Sequence, residues 1–189
     1  MDAEAFSVPR RMFGTALGLA FLFWLLTGPW CRAQDHQPSE YQIKAAFLYN
    51  FAKFVEWPPD VSPETSSPII IGVLGNNDFG DALEQTLHNK TINNRPVLLK
   101  VFRTVAEVTN CHVLFISTSE KSHLAKTLAA LPATNLLTVG EMDEFISTGG
   151  MINFVIEDNK IHFEINNDAA VKAGLKISSK LLSLSIHKQ

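Results

Sequence analysis

The sequence predicts an α/β fold: a single domain with a mostly parallel central sheet flanked by helices, followed by a C-terminal antiparallel hairpin. Three observations carry this. Short β-branched and apolar runs alternate with segments of helical periodicity from Tyr41 to Ser147, the pattern of strands joined by crossover helices. After Gly149-Gly150 the apolar period drops to two, the mark of a half-buried antiparallel pair. No internal repeat or change of composition divides the chain into further domains.

The first 33 residues stand apart. Arg10 and Arg11 precede the apolar run Met12 to Leu26, then Gly28-Pro29 and the small-x-Ala pattern Cys31-Arg32-Ala33. This is the layout of a cleaved secretory signal peptide. The run is shorter than the roughly 20 residues of a spanning helix, although failure of cleavage would leave it as an N-terminal membrane anchor. Arg-Arg-Met-Phe also carries a hint of twin-arginine export. A lipid attached at Cys31 fits poorly, because Trp30 stands where a small residue is needed. The division expected is a signal peptide over 1–33, a short linker over 34–40 and one domain over 41–186, in the periplasm.

Removing 33 of 189 residues leaves 156, enough for one substantial core. Losing Arg10, Arg11, Arg32, Asp2 and Glu4 takes 16 basic and 19 acidic residues to 13 and 17, a formal charge of −4. Such a chain has no attraction for nucleic acid. Cys111 alone of the two cysteines remains, so no disulfide forms within the exported chain.

Each element has a local reason. From Tyr41 to Trp57, Ile43, Phe47, Phe51, Phe54 and Val55 recur at steps of three and four, a helical stripe with Lys44 and Lys53 placed off it. Pro58 to Ser67 cannot continue a helix and is expected to be a surface loop. Ile69 to Gly75 (IIIGVLG) is a strand covered on both faces, and Asn76, Asn77 or Asp78 can cap a helix carrying Phe79, Leu83 and Leu87. Further strands are expected at Val97 to Phe102, His112 to Ser117 and Asn135 to Gly140. A helix capped by Ser119 runs to Leu131 before Pro132, and a short one spans Glu141 to Ser147.

The hairpin can be read in register. Asp158-Asn159 tolerate the positive φ of a two-residue turn, which pairs Glu157 with Lys160, Ile156 with Ile161, Phe154 with Phe163 and Ile152 with Ile165. The last three of these pairs share one face, which is wholly apolar. The other sets Val155 against His162 and Asn153 against Glu164, with Met151 beside Asn166. Cross-strand β-carbons lie about 5 Å apart, so Asn153, His162, Glu164 and Asn166 form a polar cluster, either a solvated face or a functional surface. Asn166 or Asn167 then caps a helix from Asp168 to Lys172 that ends at Gly174. Leu175 and Ile177 suit an edge strand, and Leu181, Leu182 and Leu184 a last helix or strand.

Catalytic machinery is not assembled in this sequence. Cys111 and His112 are strand neighbours expected on opposite faces. Six histidines are scattered without metal-ligand spacing. Ser117, Thr118 and Ser119 lack a nucleophile elbow. The turn Gly75-Asn76-Asn77-Asp78-Phe79-Gly80 follows a strand and opens a helix, where open α/β sheets bind ligands. It has neither the Lys-Ser/Thr of a P-loop nor the third glycine of a dinucleotide fingerprint. Gly75, Asn76, Asn77, Asp78 and Gly80 are the residues a small ligand would meet; no catalytic residue, metal or cofactor is called for.

Six blocks occurring in order, "YQIKAAFLYNFAKFVEWP", "IGVLGNNDFGDAL", "CHVLFIS", "LLTVGEMDEF", "GGMINFVIEDNKIHFEIN" and "AGLKISSKLL", together with "NRPV", resemble the YfiR/HmsC-like family of periplasmic proteins. The resemblance spans Tyr41 to Leu182. It implies a regulator without enzymatic activity, a dimeric α/β protein that binds the periplasmic sensor domain of an inner-membrane diguanylate cyclase. Such binding lowers cyclic-di-GMP output and biofilm formation, and an outer-membrane lipoprotein can sequester the regulator. Well-studied members hold disulfides, which the single Cys111 departs from.

Two surfaces follow. The family block FEIN falls on Phe163 to Asn166, the polar strand of the hairpin, so Glu164, Asn153, His162 and Asn166 are candidate partner contacts. In the aromatic helix, Phe47, Phe51 and Phe54 are expected in the core, whereas Tyr49 and Trp57 lie off the stripe and are candidates for a partner or dimer surface. The alternative to a cyclase repressor is a periplasmic small-molecule-sensing module with its ligand at Gly75 to Gly80.

Overall fold

The computed structural model describes residues 38–58 and 67–186. The expected signal peptide, residues 34–37 of the expected linker, residues 59–66 of the proline-rich stretch and residues 187–189 lie outside the described residues.

Helix α1, Glu40–Phe54, begins at a capping box: the Ser39 hydroxyl accepts the Gln42 N–H and the Gln42 side chain accepts the Ser39 N–H. Strand β1 (Val55–Glu56) follows at once, then β2 (Ile69–Leu74), α2 (Ala82–Leu87), β3 (Thr91–Ile92), β4 (Arg95–Phe102) and β5 (Val113–Ile116). A 3₁₀ turn at Thr118–His123 leads into α3 (Leu124–Ala130), and β6 (Leu137–Gly140), β7 (Ile152–Glu157) and β8 (Lys160–Ile165) complete the sheet. The chain closes with α4 (Asn167–Lys172), β9 (Lys176–Ile177) and α5 (Ser179–Leu182).

The result is a single α/β domain around a mixed seven-stranded sheet of order β3-β4-β2-β5-β6-β7-β8. The five strands from β4 to β7 are parallel, and β3 and β8 run antiparallel at the two edges. β1 and β9 form a separate antiparallel pair that ties the end of α1 to the C-terminal segment. The hairpin register is the one the alternation predicts, from Glu157 opposite Lys160 to Ile152 opposite Ile165, with Asp158 and Asn159 both at positive φ. Asn166 caps α4 through its side chain, and Gly174 follows the helix at φ 79°.

The two sheet faces are covered unequally. One packs against α1, α2, α4 and α5 through Leu48, Phe51, Leu83, Phe115, Ile152 and Phe163. Phe51 has no exposed surface, and its ring lies 5.1 Å from that of Phe163 and 5.7 Å from that of Phe154. Burying a Phe contributes about 1.5–3 kcal/mol, so this helix face anchors the fold. The opposite face holds a smaller cluster of Leu74, Leu114, Ile116, Leu124 and Phe145 under α3.

Several local expectations need correction. Lys44 is buried and lies beside Ala45, Leu48 and Phe51 on the inner side of α1, whereas the wheel places it off the stripe; Phe47 and Phe54 are half-buried. Residues 143–149 form turns where a short helix over 141–147 is expected. α2 starts only at Ala82, since the Asp78 carboxylate is engaged elsewhere. Asn93 and Asn94, both left-handed, turn a short hairpin between β3 and β4.

Candidate functional site

The four polar residues on the hairpin divide into two kinds. Asn153 is 3% exposed, and its Oδ1 accepts the Met142 N–H at 2.9 Å, pinning the turn after β6 to β7. Asn166 accepts the Ala169 N–H at 3.0 Å as the cap of α4 and donates to the Ile146 carbonyl at 3.5 Å. His162 and Glu164 differ. Both are half-buried on the edge strand, and among the described residues neither side chain has a hydrogen bond or ion pair.

They sit on β8, whose far side pairs with no strand. The Ile186 N–H reaches the Phe163 carbonyl at 2.9 Å, so the C-terminal segment touches this edge at one point. Ile156, near the hairpin tip, is 55% exposed. Among the described residues the carboxylate and the imidazole have no partner and lie on a strand edge that no other strand covers, while Ile156 projects from the opposite face of the hairpin; polar groups at an unpaired edge match the polar rim of a docking surface.

Tyr49 and Trp57 are each tied into the fold. The Tyr49 hydroxyl donates to the Thr91 carbonyl at 3.1 Å, joining α1 to β3. The Trp57 indole N–H donates to the Ala52 carbonyl at 3.3 Å, and its ring meets the His112 ring edge-on at 5.6 Å. Both remain half-buried.

The Gly75-to-Gly80 turn lies at the carboxyl ends of β2 and β5, where the strand order reverses. It is closed by its own groups. The Ser119 hydroxyl accepts the Asn76 N–H at 3.1 Å, and a β-carbon on Gly75, at φ 90°, would lie 2.4 Å from that oxygen. Asn77 donates to the Gly80 carbonyl, and the Ser117 hydroxyl donates to Asp78 at 2.9 Å. Tyr41 packs edge-on against Phe79, the one buried residue of the turn. The Asp78 carboxylate disfavours an anion here, so the turn lacks what a phosphate site needs.

Two arrangements are invisible in the sequence. Lys44 is bonded to both Glu40 and Glu141, with its ammonium 4.8 Å from the Tyr41 ring centre. The Tyr41 hydroxyl donates to Glu141, and burial, then that carboxylate, push its pKa upward. Secondly, Cys111 and His112 precede β5, so strict alternation does not govern them and both line one cavity at the amino ends of the strands. His112 Nδ1 accepts the Ile70 N–H at 3.1 Å. The Cys111 thiol donates to the Val113 carbonyl, and burial raises its pKa to about 12, so it is not a nucleophilic thiolate.

A family model described as YfiR/HmsC-like matches residues 41–186. The chain belongs to the YfiR/HmsC-like family. Among solved structures, a conserved domain protein from Vibrio cholerae shares the fold, with a TM-score of 0.53 and 12% identity over 78% of this chain. The chain spans 59% of that protein's length. Among the described residues of this YfiR/HmsC-like chain, no helix is long and apolar enough to cross a membrane.

Proposed function

We propose that this protein is a periplasmic regulator that represses an inner-membrane diguanylate cyclase by docking onto the cyclase's periplasmic sensor domain, lowering cyclic-di-GMP signalling and biofilm formation. Membership of the YfiR/HmsC-like family across 41–186 carries this reading. The hairpin edge is its docking surface: Glu164 and His162 supply the polar contacts, while Asn153 and Asn166 hold the strand that presents them. Tyr49 and Trp57 contribute ring surface on the aromatic helix side. A homodimer, and sequestration by an outer-membrane lipoprotein, belong to the same reading.

Titration of the purified protein with the purified periplasmic domain of the cyclase is the test. Wild type forms a complex, and Glu164→Lys weakens it about 10- to 100-fold, the effect of reversing a charge at a contact. No complex with wild type would remove the repressor reading; an unchanged affinity for Glu164→Lys would remove the assignment of the surface.

A further inference from the structure

The two edges of the main sheet are not alike. The β8 edge carries Lys160, His162 and Glu164, and the Ile186 N–H already occupies the Phe163 carbonyl. β4 forms the other edge for most of its length, because β3 pairs only with Arg95 and Pro96. From Val97 to Phe102 (VLLKVF) this strand holds one charge and no proline, with Leu98 47% and Val101 49% exposed. An apolar edge of that kind is a template for pairing with another strand.

Two hydrogen bonds fix which main-chain groups face outward. The Val97 N–H donates to the Lys90 carbonyl on the β3 side at 3.0 Å, and the Phe102 carbonyl accepts the Gly75 N–H on the β2 side at 3.1 Å. The register with β2 is unbroken from Val97 to Phe102. Alternation along the strand therefore turns the N–H and C=O of Leu99 and Val101 outward, where no strand among the described residues meets them. The opening is bounded at both ends, since Lys90 holds the Val97 N–H and the Glu107 carboxylate holds the Arg103 N–H at 3.0 Å. Lys100 lies in the middle. Antiparallel pairing of two copies that uses every open group sets Leu99 opposite Val101 of the second copy, and hence the two Lys100 side chains opposite each other, on β-carbons about 5 Å apart. Moving the two-fold by one residue either way brings in Val97 or Arg103, whose N–H groups are already engaged. Like charges directly opposite destabilise a strand pair, so this edge resists a second copy of the chain.

We propose that the open edge of β4 takes an extended segment of another protein as an added strand, an apolar segment with a carboxylate opposite Lys100, and that Lys100 keeps two copies of this chain from pairing there. The main-chain groups of Leu99 and Val101 supply the hydrogen bonds, Leu98, Leu99 and Val101 meet alternate side chains, and the cross-strand charge pair selects the segment. This edge lies at the other end of the sheet from β8, so the proposal stands whether or not a cyclase docks at the hairpin.

The exported protein, isotope-labelled for NMR, is titrated with the peptide acetyl-Thr-Val-Glu-Val-Thr-amide while hydrogen exchange is read at the Leu99 and Val101 amides. Saturable slowing of exchange at these two N–H groups is expected, with a Kd of about 1 mM or tighter. The same peptide with lysine in place of glutamate is expected to bind about three- to tenfold more weakly, the effect of exchanging an opposite for a like cross-strand charge. A third peptide, N-methylated at both valines, lacks the donors of an added strand and is expected not to bind. In the second arm, Lys100→Val removes the guard at an exposed position. It is expected to form a larger species than wild type in sedimentation at equal concentration, with the Leu99 and Val101 amides protected in the absence of peptide. No slowing at these amides with the glutamate peptide up to about 10 mM, equal affinity for the lysine peptide, binding of the N-methylated peptide, or no further assembly of Lys100→Val would each overturn the proposal.

Discussion

The side-chain oxygen of Asn153 accepts the backbone N–H of Met142 at 2.9 Å, in a place where Asn153 is 3% exposed. That bond separates Asn153 from Glu164, its partner directly across the hairpin. One residue holds the loop after β6; the other is the contact proposed for a second molecule. Asn153→Ala leaves a buried N–H without an acceptor, at a cost of about 1–3 kcal/mol. Glu164→Ala is expected within about 0.5 kcal/mol of wild type, as for a surface change. Urea unfolding of the two variants checks this, and equal destabilisation would contradict the division.

Lys44 sits between Glu40 and Glu141 with a side chain 3% exposed. Lys44→Met strands the Glu141 carboxylate in a nearly buried position, and removal of one partner from a buried pair costs about 3–5 kcal/mol. Adding Glu141→Gln to Lys44→Met is expected to restore most of the loss, because no uncompensated charge remains. Chemical denaturation of the single and double variants measures it. Failure of the second change to restore stability would contradict the stranded charge as the cause of the loss.

Phe145 is fully buried between two glycines. A β-carbon on Gly140 would lie 2.4 Å from its ring, and one on Gly150 2.2 Å. Gly150→Ala therefore overpacks the smaller core, with an expected loss of about 1–3 kcal/mol. Phe145→Leu with Gly150→Ala should be more stable than the sum of the single effects, a coupling a double-mutant cycle in urea detects.

The half-buried Cys111 thiol makes stability depend on alkaline pH. Its folded pKa of about 12 lies above the ordinary 9.0, so the folded state retains a proton that the unfolded chain releases. Its contribution is fully present below pH 9 and is lost as pH rises from 9 towards 12. The slope reaches about 1.4 kcal/mol per pH unit. Stability curves of wild type and Cys111→Ala between pH 8 and 11, the practical part of that interval, check it. The variant is expected to lose this component of the alkaline decline; identical declines would contradict burial of the thiol.

The hairpin was legible because its information is local: Asp158-Asn159 fix the turn, and alternation fixes every pair outward from it. Parallel strands were legible as continuous apolar runs, which only a doubly covered sheet accommodates. Lys44 was not, because its burial depends on Glu141, 97 positions away. The docking candidates were located as a group from sequence, yet the partition among them was hidden. The cap that engages Asn166 was legible from the helix that follows it, but the Met142 N–H that engages Asn153 belongs to a loop position that no periodicity places. The cavity at the strand amino ends was missed for a related reason. It arises where cover is lacking on one sheet face, and uneven cover leaves no mark on the strands themselves.

Intracellular cyclic-di-GMP in a deletion strain, complemented with wild type or with Glu164→Lys, tests the central claim most directly. The account expects a rise on deletion, a return to the parental level with wild type, and little or no return with the charge reversal. A level that does not change on deletion would contradict it.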